Sequence, residues 1–288
     1  MANYYKHSGK AAPQGPLFGL LLGAAASLPA AFFYDYGIFI IPSVKLRAVC
    51  ALAFGALIGA AAGIGMCWGK VRSKLAAGTV GFAASLLGFY LSWVIWILHL
   101  VRPSLWLFNP FRAAVDPRRL WQAVVAINAA GTWSYGGGRP EHGGFLWFVW
   151  ACEALLVLAF GVLTAAALVQ RRPFCERFGE WCGENRKLYF APSFPAGQFK
   201  TLLESQDIAS LEKLTPGDKK KAHYRVDLHS CGVCHSLNTL SLAQNFPRDR
   251  KTVVDKLLVT PEQASTIRHL EMNQLASSGM NTVPAATK

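Results

Sequence analysis

The sequence predicts a membrane α-helical bundle of four transmembrane helices joined to a small α+β C-terminal domain with a zinc-ribbon-like hairpin. Three observations lead there. Charge divides unevenly along the chain. Four long apolar runs occupy the sparsely charged part. A Cys-x-x-Cys motif lies between two period-two stretches in the other.

The 288 residues are 52% hydrophobic and only 16% charged, where a soluble domain carries about a quarter charged residues. Residues 1–170 hold 12 Lys/Arg and 4 Asp/Glu, and residues 171–288 hold 17 and 12. The first density suits a bilayer and the second an ordinary soluble domain. The net charge of +13 divides as +8 and +5. Its basic residues sit largely in short loops beside apolar runs, the pattern of membrane-side anchoring. Nucleic acid is therefore not the expected partner. The composition also excludes a disordered or fibrous chain.

The apolar runs cover 17–34 (extendable to 41), 48–68, 75–101 and 145–169. Each approaches or exceeds the roughly 20 residues that a hydrocarbon core of about 30 Å requires. The first run follows a polar tail, residues 1–16, and has no clear cleavage site, so it reads as a span and not as a signal peptide. Asp35 and Pro42 blunt its end. Gly55, Gly59 and Gly63 in the second run lie one helical turn apart. Such a face lets two backbones approach closely. Packing inside the bundle is the favoured expectation, with a homo-oligomer interface as the alternative.

Four spans return the chain to its starting side. The tail, the Lys70/Arg72/Lys74 turn and the post-span stretch hold 10 basic residues against 7 on the opposite side. That margin favours both termini in the cytoplasm. In the long loop before the fourth run, Asp116 and Pro117 form a helix start. The segment 117–130 reads as a helix lying on the outer interface among Trp106, Trp121, Trp133, Tyr135 and Trp147, and as a cap over a ligand pocket in the alternative. Glu153 stands within the fourth run. An intramembrane acid is a functional candidate by default, with His99 and Tyr90 as expected partners and a structural hydrogen bond as the plainer role.

After residue 170 the composition changes, and 171–275 reads as a soluble Cys-bearing domain with a frayed tail at 276–288. Ala196 to Leu214 suggests two short helices broken near Asp207. His223 to Ser230 alternates as a strand, then runs into Cys231-Gly232-Val233-Cys234-His235, and 236–243 alternates again. Thr260 and Pro261 open a last helix. Cys231 and Cys234 match two chemistries. With His235 they form a c-type haem attachment motif. With Cys175 and Cys182 they form a four-thiolate set for structural Zn²⁺. A cytoplasmic domain and a second cysteine pair favour zinc. The pair is spaced irregularly, however. A ribbon would place its cysteine at Phe178, so Cys182 has to reach in, or His235 or His229 has to substitute. Otherwise apolar packing through Phe178 replaces a lost metal. A redox or disulfide role is a further alternative.

Several stretches carry a resemblance: Tyr5-Lys6-His7-Ser8-Gly9, Gly69-Lys70-Val71-Arg72-Ser73-Lys74, Tyr90-Leu91-Ser92-Trp93-Val94, Gly131-Thr132-Trp133-Ser134, Leu146 to Glu153, and Phe174-Cys175-Glu176. On these the chain resembles uncharacterised bacterial inner-membrane proteins with about four spans and a cytoplasmic Cys-rich ribbon. The resemblance implies a location and an architecture but no activity.

No phosphate-binding glycine loop, GxSxG elbow or HExxH helix is present, so catalysis is not the favoured expectation. The sequence points to a multi-pass protein of the bacterial inner membrane with a binding, scaffold or sensory role. Its expected partners are the lipid bilayer and a cytoplasmic protein. The alternatives are a haem electron-transfer protein using Cys231, Cys234 and His235, and a small transporter or channel subunit using Glu153.

Overall fold

A computed structural model describes residues 2–41, 44–100, 116–132, 140–247 and 249–277. It divides into two compact units, one of residues 8–171 and one combining 1–7 with 172–288.

The first unit is helical. Helices α1 (Gln14–Ile40), α2 (Val44–Trp68), α3 (Lys74–Leu100) and α5 (Gly144–Gln170) are long and apolar enough to cross a membrane. At 1.5 Å per residue, 27 residues extend roughly 40 Å. They agree with the four apolar runs, except that α2 begins at Val44, so that Lys45 and Arg47 lie within it ahead of the second run, and that the end of the first run differs. There α1 continues through Asp35 up to Ile40, because Asp35 is buried against α3 and does not cap the helix.

The small-residue face of α2 is used within the chain. A Cβ on Gly55 would stand 2.2 Å from the Val157 carbonyl oxygen, and one on Gly59 would stand 2.3 Å from that of Gly161. The α2 and α5 backbones thus meet directly, which brings many atoms into van der Waals contact where the lipid offers no hydrophobic drive.

Helix α4 (Pro117–Ala130) starts as expected. The Asp116 carboxylate accepts from the backbone N–H groups of Arg118 and Arg119, satisfying two of the donors that every helix start leaves open. Leu120, Val124 and Asn128 form its buried face. Asn128 exchanges two hydrogen bonds with the Gly143 backbone, and Leu120 and Val124 pack with Val94, Leu146 and Trp150. The expected aromatic contributions of Trp106, Trp133 and Tyr135, and the end of the third run at Val101, lie outside the described residues.

The second unit is a four-stranded antiparallel sheet, order β3-β4-β5-β6, beside a separate two-stranded ribbon, β1 (Phe174–Cys175) with β2 (Glu180–Trp181). The sheet strands are β3 (Glu184–Phe190), β4 (His223–Ser230), β5 (Asn238–Phe246) and β6 (Asp249–Val259). Helix α6 (Ala196–Glu204) and a 3₁₀ turn (Ile208–Lys213) follow β3, with Asp207 capping the turn at the expected break. Helix α7 (Pro261–Ser277) opens on a reciprocal cap: Gln263 N–H donates to Thr260 Oγ1, and Thr260 N–H to the Gln263 side chain. Alternate sheet residues, among them Leu188, Val226, Leu228 and Leu257, meet Phe199, Leu203 and Ile267 in one core.

Both sheet edges are covered. Along β3, Lys187 N–H donates to Glu271 and Tyr189 N–H to Gln274, both on α7. Along β6, Leu258 N–H donates to the Asn3 carbonyl and Tyr5 N–H to that of Lys256. Such cover keeps unpaired strand edges from recruiting other chains. The first residues, expected as part of a tail, therefore complete the sheet. Strand β6 is absent from the sequence expectation.

Two glycine substitutions test the close packing of the bundle. Gly59→Ala should cost about 1–3 kcal/mol through overpacking. Gly78→Ala, which meets only a Val162 methyl at 3.4 Å, should be neutral or stabilising by up to about 1 kcal/mol through helix propensity. Thermal unfolding of the detergent-solubilised protein checks both.

Candidate functional site

Two turns of the second unit bring cysteines together. One links β1 to β2 and starts from Cys175, the last residue of β1. The other links β4 to β5 and contains Cys231 and Cys234. They share a backbone plan. Gly179 N–H donates to the Cys175 carbonyl (2.8 Å) and His235 N–H to the Cys231 carbonyl (3.0 Å). In each, the residue four after the cysteine is left-handed, Gly179 at φ +64° and His235 at φ +53°. Glycine adopts that conformation freely, while histidine does so at a cost. The exposed His235 is thus engaged in the turn by its backbone.

The sulfurs of Cys175, Cys231 and Cys234 all lie within 4.8 Å of one another, and Cys175 Sγ is 3.7 Å from Cys234 Sγ. This is a three-thiol group with the reach to hold a metal ion. Cys182 is buried in the same cluster. Its position follows β2, where its N–H donates to the Pro173 carbonyl. All four cysteines are free thiols. Cys182, His229 and His235 all stand outside the three-thiol group, so of the four predicted ligands the structure brings three within 4.8 Å of one another. Phe178 occupies the place of a second cysteine in its turn, but it is 44% exposed and stacks with the Arg177 guanidinium. Apolar packing through Phe178 therefore does not replace a metal.

The electrostatics are uneven. The Ser236 hydroxyl donates to Cys234 Sγ at 3.0 Å and, helped by the backbone N–H groups of Leu237 and Ser236, lowers that thiol to about 6. Burial pushes Cys175 up, although the N–H groups of Phe178 and Arg177 point at its sulfur. Burial, then the neighbouring thiols, push Cys182 up to about 12. Crowded, buried thiols oppose one another's ionisation. A divalent cation among them would reverse that balance and deprotonate them together.

The sequence left one support of this site unseen. The Tyr5 hydroxyl donates to the Phe174 carbonyl (3.1 Å) and accepts from the Phe174 N–H (3.0 Å). The first residues thus fix the strand that carries Cys175. Nothing local marks Tyr5 for this, since its partner is 169 residues away.

In the helical unit Glu153 lies on α5. The Tyr34 hydroxyl donates to its carboxyl, while His99, one of its expected partners, lies 3.4 Å from Asp35. Two acids, not one, therefore lie among the helices. Asp35 reads in the sequence as the blunted end of the first run, whereas it lies buried within α1. No protein-family model matches the chain, nor does any curated protein or solved structure.

Tyr5→Phe removes both bonds to Phe174. It should destabilise the small unit by about 1–2 kcal/mol and speed iodoacetamide labelling of Cys175, read by thermal melting and peptide mass spectrometry. A labelling rate equal to wild type would mean that the ribbon holds Phe174 unaided.

Proposed function

We propose that the chain is a multi-pass protein of the bacterial inner membrane carrying a zinc-stapled cytoplasmic domain that docks a protein partner, without catalysis of its own. One observation carries this reading: three sulfurs within 4.8 Å of one another, from two turns of like backbone plan, with Cys182 in the same buried cluster. Thiolate sulfur is the donor that soft-leaning Zn²⁺ selects, and four protein ligands leave no open position for a catalytic water. The metal is then structural, with Cys175, Cys231 and Cys234 as ligands and Cys182 as the fourth.

Pairing and charge support the sidedness of this reading. Asn3 and Tyr5 hydrogen-bond to β6, which supports both ends of the chain lying on one face of a bilayer, as an even number of crossings provides. The basic turn at Lys70, Arg72 and Lys74 favours the cytoplasmic face. Phe178 and Val233, at the tips of the two turns, are 44% and 57% exposed. They offer apolar anchors to a protein partner beside the metal.

The haem alternative draws less support. Cys231 is buried, and the Cys175 sulfur stands against Cys234, where a porphyrin edge would have to approach.

Metal analysis of the purified full chain tests the proposal. One zinc per chain is expected. Cys175→Ser and Cys231→Ser should lose it, and Cys182→Ser should weaken binding by about tenfold or more. Phe178→Cys should leave the stoichiometry at one, because that position faces solvent. Metal-free protein with every thiol open to titration, or a haem absorbance band, would contradict it.

A further inference from the structure

The helical unit contains a cavity of about 610 Å³ at the end where α1 finishes and α2 and α5 begin. The volume lies in the range of small-molecule sites. Its walls are mainly apolar and aromatic, with Trp96, Phe148 and Leu156 among them, and Thr132, two residues past the end of α4, also lines it. Its polar lining includes Tyr34, Arg47, Glu153, Thr132 and Cys152. Arg47 is held by a bond from its Nε to the Ile41 carbonyl (2.9 Å), which leaves its terminal N–H groups for other acceptors. Glu153 takes one bond from Tyr34 and has further acceptor capacity. The Thr132 hydroxyl is buried and has no partner among the described residues, a costly state unless a guest supplies one. A second cavity of about 50 Å³ shares Tyr34, Trp96 and Glu153 and extends to Asp35.

These groups restrict what can occupy the space. A fatty acid would suit Arg47 but set an anion against Glu153. A simple amine would suit Glu153 but set an ammonium against Arg47. A zwitterion matches both, and aromatic walls are themselves favourable to an ammonium group. The apolar remainder calls for hydrocarbon. We propose that this cavity binds a zwitterionic amphiphile with a phosphate-and-ammonium head, as in an ethanolamine phospholipid. Arg47 takes the phosphate, Glu153 takes the ammonium, and Thr132 donates to a head-group oxygen. The site is independent of the metal reading.

Native mass spectrometry of the full chain released from detergent is the test, with dioleoyl phosphatidylethanolamine and dioleoyl phosphatidylglycerol as probes. Wild type should retain one ethanolamine lipid per chain, at least about tenfold more tightly than the glycerol lipid. Glu153→Gln should abolish that preference, and Arg47→Gln should weaken both lipids. Thr132→Val conserves shape and should weaken the ethanolamine lipid by about threefold or more, so the proposal stays testable if the charge variants fail to fold. Free phosphoethanolamine competing at equal concentration would support the head-group chemistry and identify a soluble zwitterion as the source. Equal retention of the two lipids by wild type, an unchanged preference in Glu153→Gln, or unchanged binding in Thr132→Val would overturn the proposal.

Discussion

The two-stranded ribbon of the small unit depends on the meeting of sulfurs between two turns. Strands β1 and β2 have two residues each and form a sheet of their own, with no ladder to the four-stranded one. A two-stranded ribbon is marginal in water by itself. What joins this one to the β4–β5 turn is a cluster of Cys175, Cys182 and Cys231, with Cys234 and Leu237 at its edge. A core so poor in hydrocarbon gains little from burial, since the transfer gain scales with apolar area. A metal bound there would supply the missing free energy, as it does in other small domains whose own core is insufficient. Tyr5 reinforces the same ribbon from the other end of the chain.

The bundle shows a contrast along its length. Through its middle, Gly55 and Gly59 press α2 onto α5 so closely that one added methyl would collide. Toward the end near α4 the helices part around a cavity, and the groups there are polar: Tyr34, Asp35, Arg47, His99 and Glu153. An acid within the hydrocarbon zone is tolerated only where it faces a partner or a cavity. Glu153 meets both conditions through Tyr34 and the space beside it, and Asp35 meets the first through His99. Tight packing thus supports one region while another is left open to a guest.

Much of this organisation was legible in the sequence, because it rests on local signals. Hydrophobic runs marked the four helices. Asp116 with Pro117 marked the start of α4, Thr260 with Pro261 that of α7, and alternation marked β4. What escaped depends on distant partners. Strand β6 has a mixed face, interrupted by a register shift between Leu240 and Leu242 of its neighbour, so its alternation is blurred. Asn3 and Tyr5 looked like a tail because their partners lie beyond residue 170. The cysteine pair Cys175 and Cys182 was visible by type, but its irregular spacing gave no sign of where Cys182 lies relative to the other thiols. The β1–β2 pairing buries Cys182 in the same cluster, outside the three-thiol group. Glu153 was visible as an acid out of place, whereas Tyr34 is an ordinary residue in an apolar helix until α5 packs beside it.

The account turns on whether these sulfurs hold a metal together. X-ray absorption at the zinc edge of the purified full chain tests it most directly. The predicted spectrum has a single shell of four sulfurs at about 2.3 Å. No zinc edge, or a shell dominated by nitrogen and oxygen, would contradict the account.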